Sequence, residues 1–185
     1  MPLPVETSRL LIRRFSPEDV EDRLEYLSHP EVARYEYWEP FTSEGAVRRM
    51  TEAESSVEPG VEGRWLELAV VLRSEAKVIG CISIKVLSRQ HGFGEVGWTL
   101  NPRYQGHGYA TEAANAILRF GFDELDLYWI VSFCDVRNAP SYQLMERIGM
   151  RRLAQFERNK FAKGEWRDEF VHSITVQEWR ALQKA

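Results

Sequence analysis

The sequence has 185 residues, of which 44% are hydrophobic and 28% are charged. This length favours one domain, and the composition supplies enough apolar surface for one sizeable core, which excludes disorder as the main state. Lys and Arg number 24 against 28 Asp and Glu, a formal net charge of −4, so the positive excess typical of nucleic-acid binders is absent. We expect a single domain over residues 1–185 and no nucleic-acid partner.

The composition also argues against membrane, secretory and metal-binding proteins. The longest apolar stretch, residues 127–134, is far too short to cross a bilayer, and the N-terminus lacks the basic and apolar regions of a signal peptide. Cys81 and Cys134 each lie in an apolar run, which favours two reduced thiols. The four histidines show no metal-ligand spacing. We therefore expect a cytoplasmic protein with no membrane contact and no metal.

The first half of the chain predicts two helices and a run of strands. Ser16 is a suitable helix N-cap, with Pro17 at the first helical position and acidic residues directly after it. The predicted elements of this half are a strand at 10–15, helices at 16–28 and 42–56, and strands at 65–72 and 77–87.

The second half predicts strands that alternate with two helices. Small and apolar side chains recur on one stripe between Ala110 and Gly121, as in a helix that packs closely on a sheet. Gly149 suits a left-handed helix end, and Lys163-Gly164 suits a turn between the last two strands. The predicted elements are strands at 95–100, 128–134, 150–159 and 169–176, and helices at 108–122 and 139–148. The whole order predicts a mixed α/β or α+β sheet with helices on its faces.

Residues 101–113 (NPRYQGHGYATEA) lie between a predicted strand and the long helix. Gly106 and Gly108 permit a tight turn that brings backbone N–H groups close to a ligand. The first N–H groups of a helix lack helical partners and its dipole favours an anion there, so a phosphate or pyrophosphate is expected at this loop. An ordinary glycine-containing turn is the alternative. Thr111 stands where a Rossmann fingerprint needs glycine or alanine, and no Walker sequence is present.

The motif Arg103-x-x-Gly106-x-Gly108 resembles the Gln/Arg-x-x-Gly-x-Gly/Ala signature of the GCN5-related N-acetyltransferases, the GNAT superfamily. More closely, the chain is similar to its RimJ/RimL-like branch of ribosomal-protein N-terminal acetyltransferases. The segments that carry this likeness cover nearly the whole chain in the expected order: residues 7–13 (TSRLLIR), 94–98 (GEVGW), 104–113 (YQGHGYATEA), 138–141 (NAPS), 145–150 (MERIGM) and 163–168 (KGEWRD).

The resemblance implies a GNAT-type mixed, mostly antiparallel sheet of six to seven strands, with a splay between the central strands and helices on both faces. It implies acetyl-coenzyme A (acetyl-CoA) as the donor, with the pyrophosphate on backbone N–H groups of the glycine loop. The pantetheine arm would lie in the splay between the strands at 95–100 and 128–134. The implied donor-binding residues are Leu100, Gln105, Gly106, His107, Gly108, Tyr109, Ala110, Thr111, Asn138 and Ser141.

Within that set, the resemblance gives two residues specific parts. Asn138 would reach a pantetheine amide, although it also fits a simple helix N-cap. Ser141 would lie near the thioester sulfur. Many relatives carry a thiolate-protonating tyrosine where this chain has Met145, so Ser141 is the best remaining donor to the leaving group. A second departure is His107, which replaces the usual Lys, Arg or Gln and weakens a fixed positive contribution to phosphate binding.

Glu95 is the candidate general base, and with Ser141 it completes the predicted catalytic pair. An α-amino group with a pKa of about 8 is largely protonated at pH 7, and a carboxylate on the splay strand would accept its proton directly or through water. The alternative is a surface glutamate with no part in catalysis.

The acceptor side is less sharply defined by the sequence. Residues 34–41 mix aromatic and acidic side chains that suit an amine cation, but at least two of Tyr35, Trp38 and Phe41 are expected simply to pack the early helices. A protein N-terminus, a polyamine and an aminoglycoside all stay open as acceptors, for a monomer or homodimer. Two other classes also stay open: a non-catalytic CoA-binding regulatory module of the same fold, and a pure interaction domain.

Overall fold

The computed structural model describes residues 3–184. Its strands are β1 (Val5–Glu6), β2 (Leu10–Arg14), β3 (Trp65–Leu72), β4 (Lys77–Ser88), β5 (Phe93–Leu100), β6 (Trp129–Asp135), β7 (Arg151–Ala162) and β8 (Glu165–Thr175). Its α-helices are α1 (Val20–Leu27), α2 (Pro30–Ala33), α3 (Glu44–Ser55), α4 (Tyr109–Asp123), α5 (Ala139–Arg147) and α6 (Val176–Leu182). Short 3₁₀ turns at Pro17–Asp19 and Pro102–Tyr104 lie ahead of α1 and α4.

The strands form one sheet in the order β1-β2-β3-β4-β5-β6-β8-β7. Neighbouring strands are antiparallel except β5 and β6, which confirms the mixed, mostly antiparallel sheet. The expected count of six to seven strands is wrong, since residues 3–184 contain eight. The additional strand is β1, which pairs Val5 with Ile12 and Glu6 with Leu11. Two residues are too few to show the alternation by which strands are predicted.

The sequence analysis also misses α2 and α6. The prediction leaves Val176 in the last strand, whereas it begins α6. The Thr175 hydroxyl accepts a hydrogen bond from the Glu178 N–H at 3.3 Å, and the Glu178 carboxylate accepts one from the Thr175 N–H at 2.7 Å. This capping box is visible in the sequence and would have located the helix. The four residues of α2, by contrast, are too short for a helical period to appear.

Helices cover both faces of the sheet, as expected. α4, α5 and α6 pack on one face, called here the donor face, and α1 and α3 pack on the other, called the acceptor face. The donor-face core includes Leu66, Leu68, Ile82, Ile84, Val96, Ile117, Leu118, Leu144 and Met145. The acceptor-face core includes Phe15, Val20, Tyr26, Leu27, Val47, Ala69 and Val71. Because successive strand residues point to opposite faces, this assignment fixes the faces of the side chains on β3 to β6 outside the register shifts at Val70/Val71 and Val86/Ser88.

The closest approach of α4 to the sheet is at Gly121. A Cβ atom there would lie 2.8 Å from Cδ1 of Ile84 and 2.9 Å from Cδ1 of Ile130. Real Cβ atoms are essentially never that close to other heavy atoms, so the missing side chain sets the depth at which α4 packs. The glycine loop joins the first residue of this helix, so the same packing also positions the candidate site.

We predict that Gly121→Ala destabilises the protein by about 1–3 kcal/mol, because the added methyl group must displace side chains of a closed core. The intrinsic preference of helices for alanine, about 1 kcal/mol, reduces this cost but does not cancel it. Urea denaturation followed by circular dichroism measures the change. The control is Arg119→Ala, an exposed position on the same helix, which should change stability by less than about 0.5 kcal/mol. Equal stability of both variants would contradict the close packing.

Candidate functional site

The two central parallel strands part after only three paired positions. Phe93 pairs with Trp129, Gly94 with Ile130 and Glu95 with Val131, and no further pair joins β5 to β6 among the described residues. We call the last pair, Glu95 and Val131, the fork. Beyond it, residues 96–100 of β5 and 132–135 of β6 border an opening, called here the cleft. The expected splay between the central strands is therefore present.

The glycine loop ends at the first turn of α4, beside the cleft. Gly106 and Gly108 have φ angles of +79° and +81°, a left-handed conformation that favours glycine. The first backbone hydrogen bond of α4 runs from the Glu112 N–H to the Gly108 carbonyl at 3.1 Å, so the N–H groups just before Glu112 have no helical acceptor. The Gln105 N–H, in contrast, donates to the Pro102 carbonyl at 3.3 Å. The N–H groups left open at this turn therefore begin at Gly106, since the Gln105 N–H already has an acceptor.

Side chains hold this loop against the end of β5. The Gln105 side chain donates to the Leu100 carbonyl at 3.2 Å, which ties the loop to the last residue of the strand. Asn101 is buried; its amide donates to Glu25 at 3.0 Å and its oxygen accepts from the Arg103 N–H at 3.1 Å. Arg103, the first residue of the signature motif, also pairs with Glu25 at 3.3 Å. The conformation of the loop is thus fixed by α1 and β5 without a ligand.

Arg9 supplies a positive charge that the sequence analysis misses. Its Nη1 donates to the His107 carbonyl at 2.9 Å, and its guanidinium lies over the Tyr109 ring, 4.5 Å from the ring centre. His107 stacks on the same ring at 5.8 Å. Arg9 is almost a hundred positions distant in sequence, so no local motif could connect it with the loop. It offsets the loss of a fixed cation at position 107.

Glu112 holds Arg9 in place. Its carboxylate pairs with Arg9 Nε at 2.7 Å and accepts further hydrogen bonds from Thr7 at 2.6 Å and Ser8 at 3.0 Å. Burial acts to raise the pKa of Glu112, but the hydrogen bonds from Thr7, Arg9 and Ser8 outweigh it and lower that pKa to about 2. The carboxylate is therefore ionised at any physiological pH and fixes the β1–β2 turn against α4.

A second arginine lies near the same helix end. Arg147 of α5 donates from Nη1 to the Thr111 hydroxyl at 3.3 Å. Thr111 is in the first turn of α4, so Arg9 approaches this turn from the β1–β2 turn and Arg147 approaches it from α5. Two guanidinium groups and the helix N-terminus together make this corner suited to anions.

The start of α5 borders the other side of the cleft. The Asn138 side chain accepts from the Ser141 N–H at 3.3 Å, so its helix-capping role is present in the structure. The Ser141 side chain lies near the Cys134 thiol of β6. Burial raises the pKa of Cys134 to about 11, although the nearby Ser141 side chain acts to lower it. A thiol of this kind is a weak nucleophile at neutral pH.

Two other residues of α5 point away from the cleft. Met145 has no exposed surface and belongs to the donor-face core. Tyr142 packs edge-on against Phe170 at 5.6 Å and lies near Arg152. Tyr142 therefore does not replace the tyrosine that many relatives carry at the position of Met145.

On the acceptor face, Glu95 is an ion-paired carboxylate at the fork. Its Oε2 lies 2.8 Å from Lys85 Nζ, and the ammonium group of Lys85 lies 4.3 Å from the Trp65 ring centre. Glu95 and Lys85 are direct cross-strand partners on β5 and β4. Glu95 thus lies at the fork on the acceptor face, and its ion pair with Lys85 was not predicted from the sequence.

A second carboxylate, Glu67, lies on the same face of β3. It accepts a hydrogen bond from the Cys81 thiol at 2.8 Å. Burial raises the pKa of Glu67 to about 7; the Cys81 hydrogen bond acts to lower it and the nearby charge of Glu54 to raise it further. Glu54 itself pairs with the buried Arg23 at 2.7 Å. Spacing along the sequence gives no hint of this group, because it joins two helices and two strands.

The aromatic segment at residues 34–41 divides its side chains between packing and exposure. Trp38 and Phe41 contact each other edge-on at 5.5 Å and pack against the acceptor-face core, which confirms the expectation for two of the three aromatics named. Tyr37 is 70% exposed and lies 5.3 Å from Lys160 Nζ of β7. Burial raises the pKa of Glu36, whereas charges of Lys160, Lys163 and Arg167 act to lower it.

The described part of the chain shows neither metal ligands nor a spanning helix. No group of three or more His, Cys, Asp or Glu side chains within residues 3–184 is arranged to hold a metal ion. In the same residues, no helix has the length and apolarity needed to cross a membrane. Both cysteines, Cys81 and Cys134, are free thiols.

Comparison with known proteins agrees with this geometry. Residues 9–151 match the family described as acetyltransferase (GNAT) domain. The chain is 38% identical to the uncharacterized N-acetyltransferase YnaD of Bacillus subtilis, over 95% of this chain and 98% of that protein. A GNAT-family acetyltransferase from Bacillus anthracis superposes with a TM-score of 0.83 at 35% identity, covering 95% and 99% of the two chains.

A more distant structure, spermidine N-acetyltransferase from Vibrio cholerae in complex with CoA and spermine, has a TM-score of 0.79 at 19% identity and covers 94% of this chain and 99% of that chain. That likeness shows the fold alone. The family match and the close relatives, together with the glycine loop and the cleft, show that this chain belongs to the GNAT family and is an N-acetyltransferase.

Proposed function

We propose that this enzyme transfers an acetyl group from acetyl-CoA to a primary amine by direct attack within a ternary complex. The observation that carries the proposal is the junction of two features: the unpaired N–H groups at the start of α4, and a cleft that opens from the same end of β5. A pyrophosphate suits the first, and an amide-containing arm that pairs like a strand suits the second.

For the donor, the proposed phosphate contacts are the N–H groups of residues 106–110 and the guanidinium of Arg9. The pantetheine arm would lie in the cleft along Leu100, with Asn138 and Ser141 on the α5 side and Thr111 at the helix end. Bound acetyl-CoA supplies an acetyl thioester, which the protein must orient with its carbonyl carbon open toward the acceptor face. The single proposed domain spans residues 1–185.

For the chemistry, the amine must be neutral when it attacks the acetyl carbon. Glu95 is the proposed base: it lies at the fork on the acceptor face, and Lys85 would hold its carboxylate there until it takes the amine proton. The new C–N bond forms, the C–S bond breaks, and the amine proton goes to Glu95; the thiolate that leaves accepts a hydrogen bond from the Ser141 hydroxyl and takes its own proton from water. Cys134 does not act as an acetyl carrier, because its pKa of about 11 leaves it protonated.

The acceptor is proposed to be a protein N-terminus or a small primary amine. The carboxylates of the acceptor face suit an amine cation before it loses its proton. The ordered sequence motifs favour the RimJ/RimL-like branch and thus an N-terminal α-amine, and a polyamine is the second candidate acceptor. We place the enzyme in the cytoplasm, as a monomer or homodimer.

The alternative is a non-catalytic CoA-binding regulatory module, favoured by the buried methionine at position 145. One experiment separates the two: thermal unfolding with acetyl-CoA, followed by CoA release with N-terminal peptides, polyamines and aminoglycosides. Both proposals expect a higher melting temperature with the donor, since a ligand of the folded state stabilises it. Only the enzyme releases CoA with an amine, and a protein that acetyl-CoA does not stabilise would refute both.

We predict that Arg9→Ala weakens acetyl-CoA binding about tenfold or more. The change removes a charge-assisted contact and also leaves Glu112 as an unpaired negative charge beside the phosphates. Isothermal titration calorimetry measures the dissociation constant. Arg73→Ala is the matched control, because Arg73 is an exposed arginine that pairs weakly with Glu6 at 3.6 Å. If both variants bind acetyl-CoA like the unmodified enzyme, Arg9 is not a phosphate contact.

We predict that Glu95→Gln lowers kcat/KM by about 10²-fold or more at pH 7, the usual contribution of a general base. Glu67→Gln is the matched control on the same face. The pH profile identifies the base independently, since Glu67 has a pKa of about 7 and must lose its proton to act. If Glu67 were the base, kcat/KM would rise as the pH increases through about 7, and this rise would vanish in Glu67→Gln. That result would reassign the role.

We predict that Ser141→Ala lowers kcat by about 10²-fold while donor affinity stays nearly constant, because the contact strengthens only as the thiolate develops charge. Cys134→Ala, which changes the side chain beside Ser141, should retain most activity. Single-turnover kinetics and calorimetry separate the two effects. A loss confined to affinity would make Ser141 a binding residue, and an acetylated Cys134 trapped from the reaction would overturn the ternary-complex mechanism.

A further inference from the structure

The fork is closed by a side chain rather than by the backbone. After the last strand pair, Glu95 with Val131, the next carbonyl that β5 turns toward β6 belongs to Val96. It accepts a hydrogen bond from the Ser132 hydroxyl at 2.9 Å. Both residues are buried, with 1% exposure for Ser132 and 2% for Val96. The hydroxyl thus takes the place of the backbone N–H that a continued parallel ladder would supply.

Buried residues surround Ser132, so the cleft is closed at the fork. Its neighbours on the same face of β6 are Ile130, which is fully buried, and Cys134. Its cross-strand partner on β8 is His172, which has no exposed surface. Val96 and Ile130 both belong to the donor-face core. A group that enters the cleft from the glycine loop therefore meets the bond between Ser132 and Val96 before it meets any open space.

We infer that Ser132 sets the depth of the cleft and makes the enzyme selective for short acyl groups. This inference rests on the proposed function, because it takes the cleft as the site of the thioester arm. The arm can pair with β5 only outward from Val96, whose carbonyl is already occupied. An acetyl group then ends at the hydrogen bond between Ser132 and Val96, called here the clamp. Each extra methylene of a propionyl or butyryl group needs space that the clamp occupies.

The hydrogen bond of Ser132 could exist only because a buried serine hydroxyl requires a hydrogen-bond acceptor. Ser173 of β8 shows that this sheet does not impose such a requirement. It is fully buried, and its hydroxyl oxygen has no hydrogen-bond partner among the described residues. The sheet therefore accepts a buried serine without a hydrogen bond at the neighbouring position of β8, on the opposite face, where Ser173 pairs with Val131. Ser173→Ala is consequently a matched control: it deletes the same oxygen atom one strand away and leaves the fork intact.

The test compares kcat/KM for acetyl-, propionyl- and butyryl-CoA in the unmodified enzyme, Ser132→Ala and Ser173→Ala, with one fixed amine acceptor. A hydrophobic site rejects one methylene by about 10- to 200-fold, so the unmodified enzyme should prefer acetyl over propionyl within that range. In Ser132→Ala this preference should fall at least about fivefold, and in Ser173→Ala it should stay within about twofold. An unchanged preference in Ser132→Ala would overturn the inference.

Two further measurements do not depend on turnover. Isothermal titration calorimetry should show that Ser132→Ala binds propionyl- and butyryl-CoA more tightly, relative to acetyl-CoA, than the unmodified enzyme does. In the ligand-free protein, hydrogen–deuterium exchange across residues 129–135 should be faster than in the unmodified enzyme if the clamp holds the fork. If exchange across residues 129–135 is as slow in Ser132→Ala as in the unmodified enzyme, the fork does not need the Ser132 hydroxyl. If Ser132→Ala does not fold, Ser132→Cys replaces the hydroxyl with a bulkier and weaker donor, and it should still speed hydrogen–deuterium exchange across residues 129–135, to a smaller extent.

Failure of the inference is distinguishable from failure of the proposed function. If the unmodified enzyme neither binds acetyl-CoA nor releases CoA, the proposed function is wrong and the inference is lost with it. If the unmodified enzyme is active and its acyl preference survives in Ser132→Ala, only the inference is wrong.

Discussion

β5 and β6 pair at three positions and then separate, and this separation sets the conditions for the rest of the site. It leaves backbone groups of two central strands without a strand partner, and an unsatisfied buried polar group costs about 1–3 kcal/mol. A sheet keeps such an opening only where water or a ligand satisfies those groups. The cleft begins beside the loop that presents the N–H groups of α4, so one extended ligand with an anionic end can satisfy both regions.

The charged groups beside the glycine loop come in part from residues that are distant from it in sequence. Glu112 alone would place a carboxylate at the helix N-terminus, which suits the dipole but repels phosphate. Arg9 offsets the repulsion of phosphate by Glu112, because Glu112 holds its Nε while its Nη1 donates to the His107 carbonyl. The buried carboxylate, with a pKa of about 2, thus orients a cation on the surface. The glycines give the loop its shape, and the Arg9–Glu112 pair gives it a net attraction for anions.

Sequence reasoning located the elements whose signals are local. The glycine loop, the long helix with its small-residue stripe, and the left-handed Gly149 and Lys163-Gly164 positions all follow from neighbouring residues, and the structure contains them. It missed β1 and α2, which are too short to show a period. It also missed Arg9, Glu67 and Ser132, because each acts through a partner that only the folded sheet brings near. Spacing along the chain reports periodicity, whereas these contacts depend on strand order and register.

The arginines and the carboxylates near the cleft lie on different sides of the sheet, and the proposed transfer uses this separation. Arg9 and Arg147 lie at the start of α4 beside the donor face, while Glu54, Glu67 and Glu95 lie on the acceptor face, where Arg23 and Lys85 pair with Glu54 and Glu95. In the proposed reaction, the phosphates of the donor would be attracted to the first side and an amine cation to the second. The two would meet only where the sheet is interrupted, which is the cleft just beyond the fork. Under the same proposal, the Ser132–Val96 bond would end that interruption on one side.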